Sequence, residues 1–149
     1  VAEANIHNDP EAAAIVFSAP WPLTMVGLDV TEKTVLDTAL LNRMTSHESR
    51  TAAFLRAILP FYVTAHRSQG LDGAIFAHDP SAVAYVVDPG AFLTQSIPVK
   101  IETRGEWTLG ATVPDWQRKW PSAHAVEVAT AVDSDRVRDL LARRLTTLP

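Results

Sequence analysis

The chain has 149 residues, 17 acidic against 13 basic for a formal charge of −4, and no cysteine. That balance offers no basic surplus to neutralise a phosphate backbone, which argues against nucleic-acid binding; without cysteine, disulfides and thiolate zinc sites are excluded. Hydrophobic residues at 47% and charged residues at 20% describe a globular chain, one domain in size or a piece of a larger one. No apolar run reaches the roughly 18 residues of a membrane span. The start, VAEANIHNDPEAAAIVF, carries acidic residues and a proline where a signal peptide would be basic and then continuously apolar. A cytoplasmic protein without membrane contact is expected.

Asp9-Pro10-Glu11 predicts a helix start: Asp caps, Pro fits the first turn, and Glu suits the positive end of the dipole. A short apolar helix over 12–17 then ends at Ser18-Ala19-Pro20. Leu23 to Val30 is mostly apolar and predicts a buried strand with Asp29 near its C-terminal end, where open α/β sheets place their sites. Thr45 to Glu48 has capping-box spacing and predicts a long helix to about Ser68. Its apolar face reads as Ala53, Phe54, Ala57, Ile58, Phe61 and Ala65, with a kink or break at Pro60. Gly70 and Gly73 predict a loop. Asp79-Pro80 repeats the helix-start signal before an apolar helix over 81–87. Residues 92–113 predict strands, with Pro98 at an edge or a strand start and Gly105 in a turn before Trp107-Thr108-Leu109. His124 to Ala129 alternates as a further strand. Asp133 caps a last helix whose face is Val137, Leu140, Leu141, Leu145 and Leu148, with Asp139 four residues before Arg143. Helices alternating with short apolar strands predict an α/β layered architecture.

Two segments set polar side chains at a helix entrance: Glu3-Ala4-Asn5 before Asp9-Pro10, and His78-Asp79-Pro80 after Gly70-Leu71-Asp72-Gly73. Such segments can present carboxylates and amides to a ligand from a rigid frame. Residue by residue, plainer readings stand beside this one. Asp79 also fits a helix cap, and His78 an ordinary surface or packed histidine. Beside a carboxylate, though, an imidazole can act as a general acid near neutral pH. Glu3 and Asn5 also read as a solvated terminus.

Taken together, Glu3-Ala4-Asn5-Ile6, Asp9-Pro10-Glu11-Ala12-Ala13, Leu23 to Thr31 and His78-Asp79-Pro80 with Ala82 and Ala84 resemble the C-terminal half of the inosine-uridine preferring nucleoside hydrolases. Four motifs fall in order along nearly the whole chain. The resemblance implies the nucleoside hydrolase fold, an open mixed or parallel sheet flanked by helices, with 1–149 as its C-terminal part in one unit. It implies hydrolysis of the N-glycosidic bond of ribonucleosides to ribose and free base. A calcium ion holds water and the ribose diol, and the transition state is oxocarbenium-like. By position, Asp79 matches a calcium ligand, His78 the residue beside the nucleobase, and Glu3 and Asn5 the ribose-binding pair. Tyr62 and His66, one helical turn apart, fall where the family closes over the base; they also read as plain helix surface.

The sequence departs from the family in two respects. The N-terminal Asp-x-Asp-x-x-x-Asp-Asp cluster, which supplies most calcium ligands and the general base, is absent from these residues. Calcium takes about six to eight oxygens, more than Asp79 and water supply well. Ala4 replaces the aromatic residue usual between the Glu and the Asn. The chain therefore reads as half of a catalytic domain, inactive unless completed, and expected to self-associate or to meet a partner chain carrying the N-terminal half. The alternative is a degenerate, non-catalytic α/β binding or interaction module of the same fold.

Overall fold

A computed structural model describes residues 2–120 and 124–148. The chain divides into two compact units, residues 1–27 with 94–130, and residues 28–93 with 131–149. The fold is α/β, with an open mixed sheet and helices packed against it.

In the first unit, helices α1 (Ala4–Asn8) and α2 (Pro10–Ser18) lead to strand β1 (Thr24–Met25). The Asp9 carboxylate accepts from the Ala12 N–H at 2.9 Å, so the expected cap opens α2. With β4 (Phe92–Ile101), β5 (Thr112–Pro114) and β6 (Ala125–Val132), β1 forms a four-stranded sheet in the order β1-β6-β4-β5. β1 runs parallel to β6, and β5 antiparallel to β4. Phe17 of α2 packs with Ile97, Val99, Val126 and Val128 to make this unit's core.

Two expectations fail here for local reasons. β4 lies inside the sheet, although it contains Pro98. The register pairs Val99 with Pro114, so Pro98 falls opposite the residue just past the end of β5, where Asp115 donates its N–H to the Pro98 carbonyl at 2.8 Å. The N–H that proline lacks would have pointed the same way, so its absence forgoes only the reciprocal bond to Asp115, past the end of β5. Trp107 to Leu109 form a turn, not a strand, with Trp107 83% exposed; the Glu102 carboxylate collects the N–H groups of Arg104 and Gly105 just before it, and Ala111 N–H donates to the Thr108 carbonyl at 2.9 Å at its end.

The second unit holds α3 (Leu28–Thr31), β2 (Val35–Leu36), α4 (Thr38–Thr45), α5 (Arg50–His66), β3 (Ile75–Phe76), α6 (His78–Val87) and α7 (Ser134–Thr147). Its core gathers Leu36, Leu40, Leu41, Met44, Ile75 and Ala142. The expected strand over 23–30 is thus only two residues long. Glu32 N–H donates to the Leu28 carbonyl at 2.9 Å and closes a helical turn that buries Val30 completely, leaving Asp29 exposed in that turn.

The long helix begins at Arg50, capped by Ser49, whose hydroxyl accepts from Ala52 N–H at 3.1 Å. Thr45 instead ends α4, its hydroxyl donating to the Leu41 carbonyl at 2.9 Å. Helix α5 runs unbroken past Pro60. It buries Ala52 and His66 and packs Leu55, Leu59 and Val63 on the core; Phe54 and Phe61 are 62% and 74% exposed. This helix is apolar on two faces, and the 3.6 period alone cannot say which one meets the core.

Helix α7 matches its prediction at the start, where Asp133 accepts from Arg136 N–H at 3.0 Å. Val137 and Leu140 are buried and Leu141 and Leu145 partly so, while Leu148 lies past the helix end and is exposed. Asp139 pairs with Arg43 at 3.7 Å rather than with Arg143. Arg136 grips Asp88 with two bonds, Nε to Oδ2 at 2.7 Å and Nη2 to Oδ1 at 2.5 Å. Such a fork fixes geometry as well as charge.

Gly73 has φ of +70°, and a Cβ there would meet Thr38 Oγ1 at 2.7 Å, the same hydroxyl that donates to the Gly73 carbonyl. Gly73→Ala should therefore lower stability by about 1–2 kcal/mol or more in urea denaturation; an unchanged midpoint would refute this account. Asp37 caps α4 through Leu40 N–H at 2.8 Å and binds Arg138 of α7 at 2.5 Å. The Leu40 N–H first, and the Arg138 guanidinium with it, hold this carboxyl below its ordinary value of 3.8. A lowered carboxyl adds stability that is fully present above that value and is lost as pH falls through the folded-state value. Asp37→Asn keeps a capping oxygen, so thermal melts from pH 6 to pH 2 should show a shallower acid loss than the parent chain; parallel curves would contradict it.

Candidate functional site

Helix α6 opens differently from its neighbours. Helices α2, α4, α5 and α7 each start with a side-chain oxygen accepting a first-turn N–H, from Asp9, Asp37, Ser49 and Asp133. The cap position of α6 is Ala77, which has no such oxygen. His78 and Asp79 are the first two residues of the helix rather than a loop before it. Asp79 is therefore not the cap. Its carboxylate is exposed, has no hydrogen bond or ion pair among the described residues, and sits at the positive end of the α6 dipole. That makes it a free, hard oxygen donor.

His78 is placed by the chain on either side of it. β3 pairs antiparallel with β2, Leu36 with Ile75 and Val35 with Phe76. One step on, Ala77 N–H donates to the Thr34 carbonyl at 2.9 Å. Next to that, the Thr31 hydroxyl lies 2.8 Å from His78 Nδ1. The imidazole is half-buried, with the Phe76 ring centroid at 5.4 Å and the His66 ring nearly parallel at 6.2 Å and 24°. Nδ1 is engaged, and Nε2 has no partner among the described residues.

His66 closes α5 and is only 8% exposed. Its Nδ1 lies 2.8 Å from the Tyr62 carbonyl, which can only accept, so this nitrogen carries the hydrogen. Nε2 is buried and has no hydrogen-bond partner among the described residues. Tyr62 is exposed and meets Phe61 edge-on at 5.9 Å. Tyr62 and His66 are thus joined through backbone, with His66 turned to the His78 and Phe76 rings.

The other two predicted residues lie in the first unit. The Glu3 carbonyl accepts His7 N–H at 2.9 Å and closes α1, so Glu3 directly precedes that helix and Asn5 lies within it, not in a loop. Asn5 Nδ2 donates to Glu3 Oε1 at 3.3 Å; Glu3 is half-buried and Asn5 exposed. The two side chains form one small polar group.

Sequence reasoning missed Thr31 and Phe76 as neighbours of His78. Thr31 stands 47 positions from its partner, and no local pattern announces such a pair. Among the described residues no three His, Asp or Glu side chains come together as metal ligands. Asp79 supplies one oxygen, and calcium requires several more, so these residues by themselves do not fit that ion.

The comparisons with known proteins agree on one family. The model of the inosine-uridine preferring nucleoside hydrolases matches residues 1–139. The inosine-uridine preferring nucleoside hydrolase of Crithidia fasciculata is 40% identical over 136 residues, 91% of this chain and 43% of that protein. A plant nucleoside hydrolase, PpNRh1, superimposes with a TM-score of 0.89 at 32% identity, covering 97% of this chain and 48% of its own. The purine-preferring ribonucleoside hydrolase of Gardnerella vaginalis gives 0.87 at 34% identity, covering 97% and 46%. The chain spans about half the length of the relatives it matches. With the family model covering most of its residues, the chain belongs to the inosine-uridine preferring nucleoside hydrolase family.

Proposed function

We propose that this chain forms the C-terminal half of a ribonucleoside hydrolase, which cleaves the N-glycosidic bond to ribose and free base. The observation that supports this most is the entrance of α6: an exposed, unpartnered Asp79 carboxylate beside a half-buried His78 imidazole with one nitrogen held and the other free. Membership of the family makes a nucleoside the natural substrate class.

In this reading water attacks the anomeric carbon, the C–N bond breaks and its electron pair leaves with the base, while the proton shed by the attacking water passes to the N-terminal aspartate cluster that the resemblance implies. His78 delivers a proton to that base through Nε2, so the products are ribose and the protonated leaving group. Glu3 and Asn5 hold sugar hydroxyls, contacts that strengthen as positive charge builds on the ring. Tyr62, exposed on α5, and His66 below it border the base. Asp79 would hold one position of the calcium ion that the family resemblance implies, which would activate water; the further oxygens would have to come from the N-terminal half of the domain. Exposed apolar side chains such as Phe61, Val83 and Val86 suit such a partner or self-association. No helix among the described residues is long and apolar enough to cross a membrane. The reading places the enzyme in the cytoplasm, in purine or pyrimidine salvage.

The test is ribose release from inosine and uridine by the protein purified with any partner retained. Asp79→Ala should lower turnover by about 100-fold or more and weaken calcium binding in calorimetry; near-parental turnover would sink the assignment. His78→Ala should cost about 10²–10⁴-fold on inosine, the usual contribution of a general acid. It should cost far less on p-nitrophenyl riboside, whose leaving group needs no proton. Equal losses would exclude the acid role. A parental protein that binds ribose yet releases none would favour the non-catalytic module.

A further inference from the structure

His78 is useful to a ligand only if the correct nitrogen faces it, and an imidazole can turn over or change tautomer without moving its chain. Three observations bear on what prevents this. The Thr31 side chain is 2% exposed, and its only hydrogen-bond partner among the described residues is His78 Nδ1, at 2.8 Å. A hydroxyl sealed from water must place its hydrogen on an acceptor or lose the worth of that bond. The rings of Phe76 and His66 lie against His78 at 5.4 and 6.2 Å and against each other at 5.8 Å, so the three rings form one cluster that restricts the imidazole's rotation. His66 does not compete with Thr31 for the His78 ring, because its Nδ1 is committed to the Tyr62 carbonyl and its Nε2 has no hydrogen-bond partner among the described residues.

We propose that Thr31 is the positioning residue of this site: its hydroxyl donates to Nδ1 of His78, holds the neutral imidazole as the Nε2–H tautomer, and leaves Nε2 as the nitrogen that meets the ligand. The inference rests on the hydrolase reading only for its kinetic consequence. Thr31 touches no substrate in this account; it acts through His78. When His78 is charged, the same hydroxyl accepts from Nδ1–H instead, since a hydroxyl serves either way. The ring then keeps its orientation in both protonation states.

The conserved length of valine makes Thr31→Val a clean removal of the hydroxyl, and Thr31→Ser returns it in a smaller side chain. Two measurements are made on the parental protein and both variants. Two-bond ¹H–¹⁵N correlation spectra, above the pH at which His78 is neutral, report its tautomer. Turnover is compared on inosine and on p-nitrophenyl riboside. The expected result is an Nε2–H tautomer in the parent, a mixture or reversal in Thr31→Val, and recovery in Thr31→Ser. With it, kcat on inosine should fall about 10- to 100-fold in Thr31→Val, the scale of a misplaced catalytic group, with KM little changed, a smaller loss on the activated riboside and rescue by serine.

An Nδ1–H tautomer in the parent overturns the proposal, and so does a tautomer unchanged in Thr31→Val. Should the valine variant not fold, the parental spectrum and Thr31→Ser still decide it. If the tautomer responds as expected but the parental protein releases no ribose, the role of Thr31 stands and the hydrolase reading falls.

Discussion

The site depends on one short antiparallel seam between residues 31–36 and 75–78. It begins as a two-residue ladder, Leu36 with Ile75 and Val35 with Phe76, continues through Ala77 N–H on the Thr34 carbonyl, and ends where the Thr31 hydroxyl meets His78. Backbone groups inside a core must find partners, so the register of the ladder leaves little choice for the residues beyond it. A slip by one position would turn Phe76 to the opposite face and carry His78 away from Thr31. Each bond is modest alone, but the series converts a common sheet contact into the placement of one imidazole.

The same seam explains why the entrance of α6 is chemically free. Where α2, α4, α5 and α7 spend an aspartate or serine on their first N–H groups, α6 has alanine at a position whose N–H pairs with Thr34 and which is 1% exposed. The helix is held in place by sheet pairing rather than by a capping side chain. Asp79 is then left over, aimed at no protein partner, at an end where negative charge is favoured. A carboxylate that neither caps nor pairs is available to a ligand, which is the physical content of the functional reading.

His66 adds a cost that the packing tolerates. Its Nε2 is buried and unpartnered, a state worth roughly 1–3 kcal/mol against the fold. Its ring lies against Phe76 and His78, and the aromatic contact offsets part of that cost. The arrangement joins the C-terminal end of α5 to the start of α6, while Tyr62 one turn earlier stays exposed.

Some of this was legible in the residues. Asp9 and Asp133 cap the helices their spacing announces, because a cap is a contact over three residues and depends on nothing distant. Val137 and Leu140 face inward as their period requires, and the alternation of helices and apolar strands is the α/β class observed. His78 and Asp79 stood out as residue types, and the four motifs pointed to the family that the comparisons identify. Tertiary structure decided what depends on partners far along the chain. It chose which apolar face of α5 meets the core, turned Leu28 to Val30 from expected strand into helix, and let Pro98 sit inside a sheet because β5 ends beside it. It also joined Thr31 to His78 across 47 positions. A sequence carries periodicity and caps within a few residues of each other; register and face are set only when distant segments compete for the same buried surface.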